Sequence, residues 1–265
     1  MSDPAVLAPP RRTLAQQAPD FLVWGGVLVL LLISFAPVEM SQAAKLFTNS
    51  QNMQAFGRDL LRPDFTELPL YVSKMWLTIE IALWGTFLAV LVAIPFGLAC
   101  SRNLSPLWLQ QPMRLLMNLL RSIPDLVVGM IFVVAVGLGP FAGVMALTVN
   151  TCGVLAKLFS EAVESIDRGP VEGVRATGAA KLHEIIWGVI PQVAPLWSSY
   201  ALYRFESNSR AATVLGLIGA GGIGQLLFES LGAFAYQQLS AIIIVIIVAV
   251  SLIDLLSQAM RSRLL

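Results

Sequence analysis

The stretch PVEGVRATGAAKLHEIIWGVIP, residues 170–191, decides the fold, because it is a polar segment between two apolar runs of membrane-spanning length. Pro170 suits the first turn of a helix, where its missing N–H costs nothing. Gly178 is a left-handed stop, and Pro191 disfavours helix at the residue before it. The pattern predicts a short helix over 170–177 and a second over 179–189. A stub helix of this length is unstable alone in water, so we expect it to dock on its own bundle or on another protein.

Composition places the chain in a membrane. Its residues are 57% hydrophobic and 12% charged, with a mean hydropathy of +0.76, far from a soluble domain. A spanning helix needs about 20 mainly apolar residues. We therefore predict an all-α protein with six transmembrane helices, over 21–37, 75–99, 112–137, 141–160, 195–217 and 238–259.

The distribution of basic residues predicts the orientation. With the N-terminus inside, ten Lys and Arg residues are cytoplasmic and three lie in outer loops, as the positive-inside rule requires. Both termini and the polar segment 161–191 should then be cytoplasmic. We expect a flexible N-terminus over 1–20, a first span and outer loop over 21–70, and a transmembrane domain over 71–265. The ten inside residues are Arg11, Arg12, Arg102, Arg114, Lys157, Arg168, Arg175, Lys181, Arg261 and Arg263; the three outside are Lys45, Arg58 and Arg62.

Several chemical functions are disfavoured by the sequence. Residues 219–224 satisfy GxGxxG, but a dinucleotide site needs a preceding strand, and an apolar span precedes this segment. The pattern instead indicates a flexible or re-entrant connection. The chain has no Gly-Lys-Ser/Thr phosphate loop, two cysteines and a single histidine, His183. We therefore expect no catalytic residues, no metal site and no cofactor in this chain, and the net charge of +1 gives no reason to expect nucleic acid binding.

Charged residues inside predicted spans are costly unless they are paired or solvated. One such group is Arg121-Ser-Ile-Pro124-Asp125 in the third span. The i, i+4 spacing of Arg121 and Asp125 favours a salt bridge, and Pro124 permits a kink.

The second group is Arg204-Phe-Glu206-Ser-Asn208-Ser-Arg210 in the fifth span. Glu206 and Arg210 share a helix face, whereas Arg204 lies on another face and has no local partner. Two interpretations remain open. The charges form a structural pair with Glu80 or lie near the inner interface, or they line a path for an anion.

The polar segment resembles the EAA loop of binding-protein-dependent ABC importer permeases. Glu172 and Gly178 have the spacing of that loop, and Ile190-Pro191 follows them. The loop departs from the family pattern at Gly173 and Val174, which replace two alanines, and at Gly188, which replaces an isoleucine. The resemblance implies a type I ABC importer permease bundle. Its coupling residues on this chain would be Glu172, Gly173, Arg175, Ala176, Gly178 and Pro191.

The stretch from Tyr203 to Gly224, together with residues 121–125, is similar to the phosphonate-transporter permeases, which import phosphite and phosphonate. This resemblance covers about residues 70–265. It implies a multi-pass protein of the bacterial inner membrane, a transport subunit and not an enzyme. Its partners would be a second permease copy in a homodimer, two cytoplasmic ATPases that bind the ATP, and a periplasmic phosphonate-binding protein. The substrate path would use Arg121, Asp125, Arg204, Glu206, Asn208 and Arg210.

Two alternatives are kept. A methionine-type amino-acid importer shares the glycine-rich end of the fifth span, although a zwitterionic substrate needs no excess of buried arginine. An ion-coupled secondary transporter could use Glu80 or Asp125, but it would not need a docking loop.

Overall fold

The computed structural model describes residues 14–45 and 50–264, and every regular element among them is helical. Single helical turns also occur at Met40–Ala44 and Lys181–His183, and π-helical turns at Glu184–Val189 and Gly216–Ala220. The α-helices are α1 Leu14–Ser34, α2 Ser50–Leu60, α3 Leu68–Cys100, α4 Leu107–Ser122, α5 Asp125–Val136, α6 Pro140–Glu164, α7 Arg168–Ala176, α8 Ile190–Leu215, α9 Ile223–Gly232 and α10 Tyr236–Leu264.

The chain divides into two compact units, Met1–Arg58 and Asp59–Leu265. In the first unit, the apolar side chains of α1 from Phe21 to Ile33 are exposed, among them Trp24 and Leu28. Of the flexible N-terminus expected over 1–20, residues 1–13 lie outside the described residues, and α1 already begins at Leu14.

The second unit is built around α6, which packs closely on α3 at small residues. A Cβ added to Gly85 would lie 2.7 Å from the Cβ of Leu147, and one added to Gly97 would lie 2.7 Å from the Cβ of Phe159. Small residues allow this close approach, as is typical of helix packing in membranes. Trp197 of α8 stacks on Phe159 with a centroid separation of 4.6 Å, which fixes α8 against the same helix.

Three predicted spans are confirmed as long apolar helices: 75–99 as α3, 141–160 as α6 and 238–259 as α10. Two bent helix pairs raise the number of candidate spans in the described residues to five. The apolar part of α1, Asp20–Ser34, is shorter than a usual span. The count of six spans and the cytoplasmic termini therefore stay predictions.

The third predicted span, 112–137, is present as a bent pair of helices, broken at Pro124, where the sequence permits a kink. It is two helices, α4 and α5, bent by 89°. Ile123 and Pro124 between them are extended, with ψ of 125° and 142°, because a residue before proline is pushed out of the helical region. Asn150 of α6 donates to the Ile123 carbonyl at 3.2 Å, so the break is held by a neighbouring helix.

The second short helix, predicted over 179–189 and stopped by Pro191, is also wrong. A helical run continues from Lys181 through the π-turn 184–189 into α8. Pro191 lies in the first turn of α8, where the missing N–H is tolerated.

The glycine-rich connection at 219–222 follows a helix and not a strand, which excludes the dinucleotide interpretation. Gly219, Gly221 and Gly222 have φ of 92°, 78° and 76°, a region that glycine occupies at little cost. The Ile223 N–H donates to Thr78 Oγ1 at 2.8 Å, so the connection is anchored on α3.

Candidate functional site

A buried polar cluster joins three helices of the second unit. It consists of Thr86 on α3, Thr151 on α6, and Arg204 and Asn208 on α8. Asn208 Nδ2 donates to Thr86 Oγ1 at 2.8 Å, and Thr151 Oγ1 donates to Asn208 Oδ1 at 3.0 Å. Arg204 Nη2 donates to Thr151 Oγ1 at 3.3 Å and to Asn208 Oδ1 at 3.4 Å. Asn208, which is 1% exposed, therefore connects every member of the cluster.

Among the described residues, Arg204 has no carboxylate in hydrogen-bonding contact, and the sequence predicted that it lacks a local partner. Its Nε is buried without a hydrogen-bond partner. Asp125, at the start of α5, interacts electrostatically with Arg204, and its Oδ1 is also buried and unpartnered. The predicted Arg121–Asp125 salt bridge is wrong, because the 89° bend between α4 and α5 destroys the i, i+4 relation. Arg121 is exposed on the last turn of α4.

The predicted Glu206–Arg210 pair is confirmed, with Arg210 Nη2 at 3.0 Å from Glu206 Oε1. Glu206 is only 7% exposed and also accepts from Arg261 Nη2 of α10 at 3.3 Å. The Arg261 guanidinium lies 5.8 Å from the centroid of the Tyr203 ring. Glu80 is exposed. The first interpretation expected it to form an ion pair between helices, but that kind of pair is formed by Arg261 with Glu206. Sequence reasoning missed Arg261, because nothing in the chain relates the end of α10 to α8.

The stub helix α7 docks on its own chain. Asp167 caps it by accepting from the Gly169 N–H at 3.0 Å, so the helix begins two residues before the predicted start at Pro170. Gly178 stops it with φ of 77°, as predicted. The buried Val171 packs against Gly188, where an added Cβ would lie 3.0 Å from the Val171 Cα. The departure from the family's isoleucine at position 188 therefore makes room for Val171.

Two polar contacts fix α7 further. Arg175 Nε and Nη2 donate to the two oxygens of Glu184, each at 2.9 Å, and these hydrogen bonds raise the pKa of Arg175. Asp167 and Gln192 exchange hydrogen bonds through backbone and amide groups, at 3.1 and 3.2 Å. Arg175, which was expected to anchor a partner, thus forms its ion pair with Glu184 of its own chain.

The outer face of α7 is open. Glu172, Gly173 and Ala176 are exposed, and nothing lies within 4 Å of a Cβ added to Gly173. A cavity of about 280 Å³ reaches Glu172 and Arg175 from the turn at Asn103. This face can therefore receive another surface without rearrangement of α7.

The site offers no metal centre within the described residues, since no three His, Cys, Asp or Glu side chains there are grouped to hold an ion. Cys100 and Cys152 are buried free thiols.

Residues 93–264 match the family of binding-protein-dependent transport system inner membrane components. The chain belongs to this family. The permease is also 36% identical to a phosphite transport system permease protein of Stutzerimonas stutzeri, over 89% of this chain and 86% of that protein. It is 60% identical to a putative cryptic phosphonate transport system permease protein of Escherichia coli strain K12, over 45% of this chain and 98% of that protein.

Among solved structures, the permease is similar to a chain of the methionine ABC transporter MetNI in an inward-facing conformation. The TM-score is 0.66 at 21% identity, with 76% of this chain and 99% of that chain covered. This likeness shows the fold, that of a type I ABC importer permease. The protein is therefore the permease component of an ABC importer. Such importers work with ATPases and a substrate-binding protein.

Proposed function

We propose that this permease moves phosphonate, phosphite or a related oxyanion across the inner membrane of a bacterium. The observation that carries the proposal is Arg204, a cation within the bundle that contacts no carboxylate by a hydrogen bond in the part of the chain that the structure describes. The names of the two relatives support the same class of cargo. The likeness to the methionine transporter concerns the fold alone and gives no support to a zwitterionic cargo.

The buried polar cluster has the chemistry of a transient anion site. A guanidinium presents a planar fork that matches two oxygens of a phosphonate group, and the hydroxyls of Thr86 and Thr151 hold Asn208 beside it. Burying a charge that lacks a partner is unfavourable in free energy. A passing anion would remove that cost at Arg204 without the tight binding that would prevent release.

Energy enters from a separate ATPase that docks on α7. Glu172, Gly173 and Ala176 form the contact, and the close approach of a partner backbone is possible at Gly173. Gly178 and Pro191 bound the segment that carries the motion, and Arg175 transmits it through Glu184. ATP is bound by the partner, and the permease has no phosphate loop of its own.

The assembled importer contains two copies of this permease, two ATPases and a periplasmic phosphonate-binding protein. Arg121 and Arg210, both exposed on the single chain, would face the path between the two copies. The bundle crosses the inner membrane with its α7 side in the cytoplasm.

Uptake by the complete importer in proteoliposomes tests the proposal. Transport of methylphosphonate or phosphite should fall in the order wild type, Arg204→Lys, Arg204→Gln, because lysine keeps the charge and loses the fork. We expect at least a tenfold loss for Arg204→Gln, the effect of about one charge-assisted hydrogen bond. Arg263→Gln, at an exposed arginine of α10, is the matched control. Wild-type uptake by Arg204→Gln at equal expression would refute the anion path.

A further inference from the structure

Asp125 has a buried acceptor oxygen to which no donor among residues 14–45 and 50–264 forms a hydrogen bond. Its Oδ1 is buried and receives no hydrogen bond, although Asp125 stands in the first turn of α5, where free N–H groups are available. Those N–H groups do not satisfy it. A buried polar atom without a partner is costly, so this oxygen is unexplained by the fold of α5.

Arg204 has a buried donor, Nε, that also forms no hydrogen bond with any described residue. The carboxylate and the guanidinium interact electrostatically, yet no hydrogen bond or ion pair joins them directly. A direct ion pair would satisfy both atoms at once. A bound group that accepts from Arg204 and donates to Asp125 would satisfy both atoms in its place.

A cavity adjoins Asp125. It holds about 260 Å³ and is lined by Pro124, Asp125, Leu126, Ala211, Val214 and Leu215. Ala211 and Leu215 lie seven and eleven residues beyond Arg204, on the same face of α8. Apart from Asp125, the walls are apolar, so a small organic substituent could lie there while its charged head remains between Asp125 and Arg204.

We propose that Asp125 and Arg204 select the singly protonated form of a phosphonate-type oxyanion. Arg204 donates to a P–O oxygen and Asp125 accepts from the P–OH group. An ionised carboxylate can only accept, so a fully ionised anion such as sulfate would turn lone pairs toward it and be repelled. Phosphate monoesters lose their second proton near a pKa of about 6. Alkylphosphonates lose theirs in a similar pH range, so singly protonated anions are present at neutral pH. The inference rests on the proposed function and adds Asp125 as a specificity-determining residue.

The test compares three ligands on the permease–ATPase complex in nanodiscs, without the binding protein, by the shift of the thermal unfolding midpoint. Ligands that bind the folded state raise the midpoint according to their affinity. The ligands are methylphosphonate, its monomethyl ester, which has one negative charge and no P–OH, and sulfate. We expect methylphosphonate to stabilise the wild-type complex at a concentration about tenfold or more below that of the other two, as one charge-assisted hydrogen bond provides.

Asp125→Asn should reverse this preference. The amide can donate, so the ester and sulfate should then bind at concentrations within about twofold of methylphosphonate, a difference of less than one hydrogen bond. Asp254→Asn, at another partly buried carboxylate of the bundle, should keep the wild-type preference. Equal stabilisation of the wild type by all three ligands would overturn the inference and needs no variant, and so would an unchanged preference in Asp125→Asn. Failure of the wild-type importer to take up any phosphonate or phosphite would instead overturn the proposed function.

Discussion

At the scale of single residues, Asn208 is the side chain on which three helices depend. Its amide donates to Thr86 of α3 and its carbonyl accepts from Thr151 of α6 and Arg204 of its own helix. Between membrane helices there is no hydrophobic driving force, so such polar contacts contribute to association. Asn208 therefore stabilises the fold as well as orienting the arginine.

Asn208→Leu should destabilise the permease by about 1–2 kcal/mol, because Thr151 and Arg204 lose their shared acceptor inside the bundle. The measurement is reversible unfolding of the purified permease in detergent or nanodiscs. Ser198→Ala, at an exposed serine that bonds only to the Ala194 carbonyl of its own helix, is the control. An equal, small loss in both variants would show that the cluster does not stabilise the bundle.

Glu206 gives a second residue-scale prediction, because it binds two arginines of unequal exposure. The side chain of Arg210 is 50% exposed and that of Arg261 is 22% exposed. When Glu206→Gln removes the carboxylate, Arg261 should be the more costly arginine to leave unpaired. The double variant Glu206→Gln, Arg261→Gln should therefore recover more stability than Glu206→Gln, Arg210→Gln.

A double-mutant cycle on each pair measures this difference, and we expect a coupling of about 0.5–2 kcal/mol for Glu206–Arg261. A larger coupling for Arg210 than for Arg261 would contradict the prediction. The exposed pair Lys157–Glu161 on α6, 3.7 Å apart, should show coupling below about 0.5 kcal/mol and serves as the control.

At the scale of elements, α7 is a nine-residue helix that owes its order to the chain it rests on. Val171 against Gly188, Arg175 with Glu184, and the Asp167 cap fix one face. On the opposite face, Glu172, Gly173 and Ala176 are exposed, and no contact with another described residue would need to break there before a partner binds. The helix can therefore transmit force from a docked ATPase to α8 as a rigid piece.

Substitutions at two glycines distinguish a loss of ATPase docking from a loss of folding stability. Gly173→Leu meets nothing within 4 Å, so the permease should fold normally and lose ATPase binding or coupling. Gly188→Leu meets the Val171 backbone at 3.0 Å and should displace α7, lowering stability by about 1–3 kcal/mol.

The measurements are co-purification of the ATPase, substrate-stimulated ATP hydrolysis, and permease unfolding. Gly232→Leu, at an exposed glycine with nothing near its added Cβ, is the control for a bulky residue on a helix surface. Normal coupling in Gly173→Leu would refute docking on this face of α7.

The sequence predicted the elements whose cause is local. The apolar runs of α3, α6 and α10, the stop at Gly178 and the Glu206–Arg210 pair all follow from spacing and composition. The sequence did not predict the elements that depend on contacts with neighbouring segments. The bend after Ser122 is held by Asn150, and the helix passes Pro191 because a π-turn precedes it. In the site, Arg204 was found as an unpaired charge, whereas Arg261 required knowledge of where α10 ends in space.

At the scale of the whole molecule, the contacts of the second unit sort its segments into two ends. At one end of the helix bundle, the Ile223–Thr78 and Gly139–Gly219 hydrogen bonds hold neighbouring segments together. At the other end, Glu164 accepts from the Arg102 N–H and from Arg114. The basic residues predicted to be cytoplasmic, from Arg102 to Lys181, belong to the second end. If all five candidate spans from α3 to α10 cross the membrane, the positive-inside rule predicts that the second end is cytoplasmic, whatever the role of α1.

Accessibility of single cysteines tests this topology and the role of α1. In a Cys100→Ala, Cys152→Ala background, an impermeant maleimide applied to spheroplasts should label cysteines at Thr66 and Glu229, which are exposed and lie at the end predicted to face outward. Cysteines at Ser165 and Ser262 should react only after the membrane is permeabilised, which also controls for reactivity. Labelling of the Ser165 position from outside would overturn the orientation and, with it, ATPase docking on α7. A cysteine at Ser2 decides the span count, because it should be protected if α1 crosses as a sixth span and labelled from outside if the permease has five.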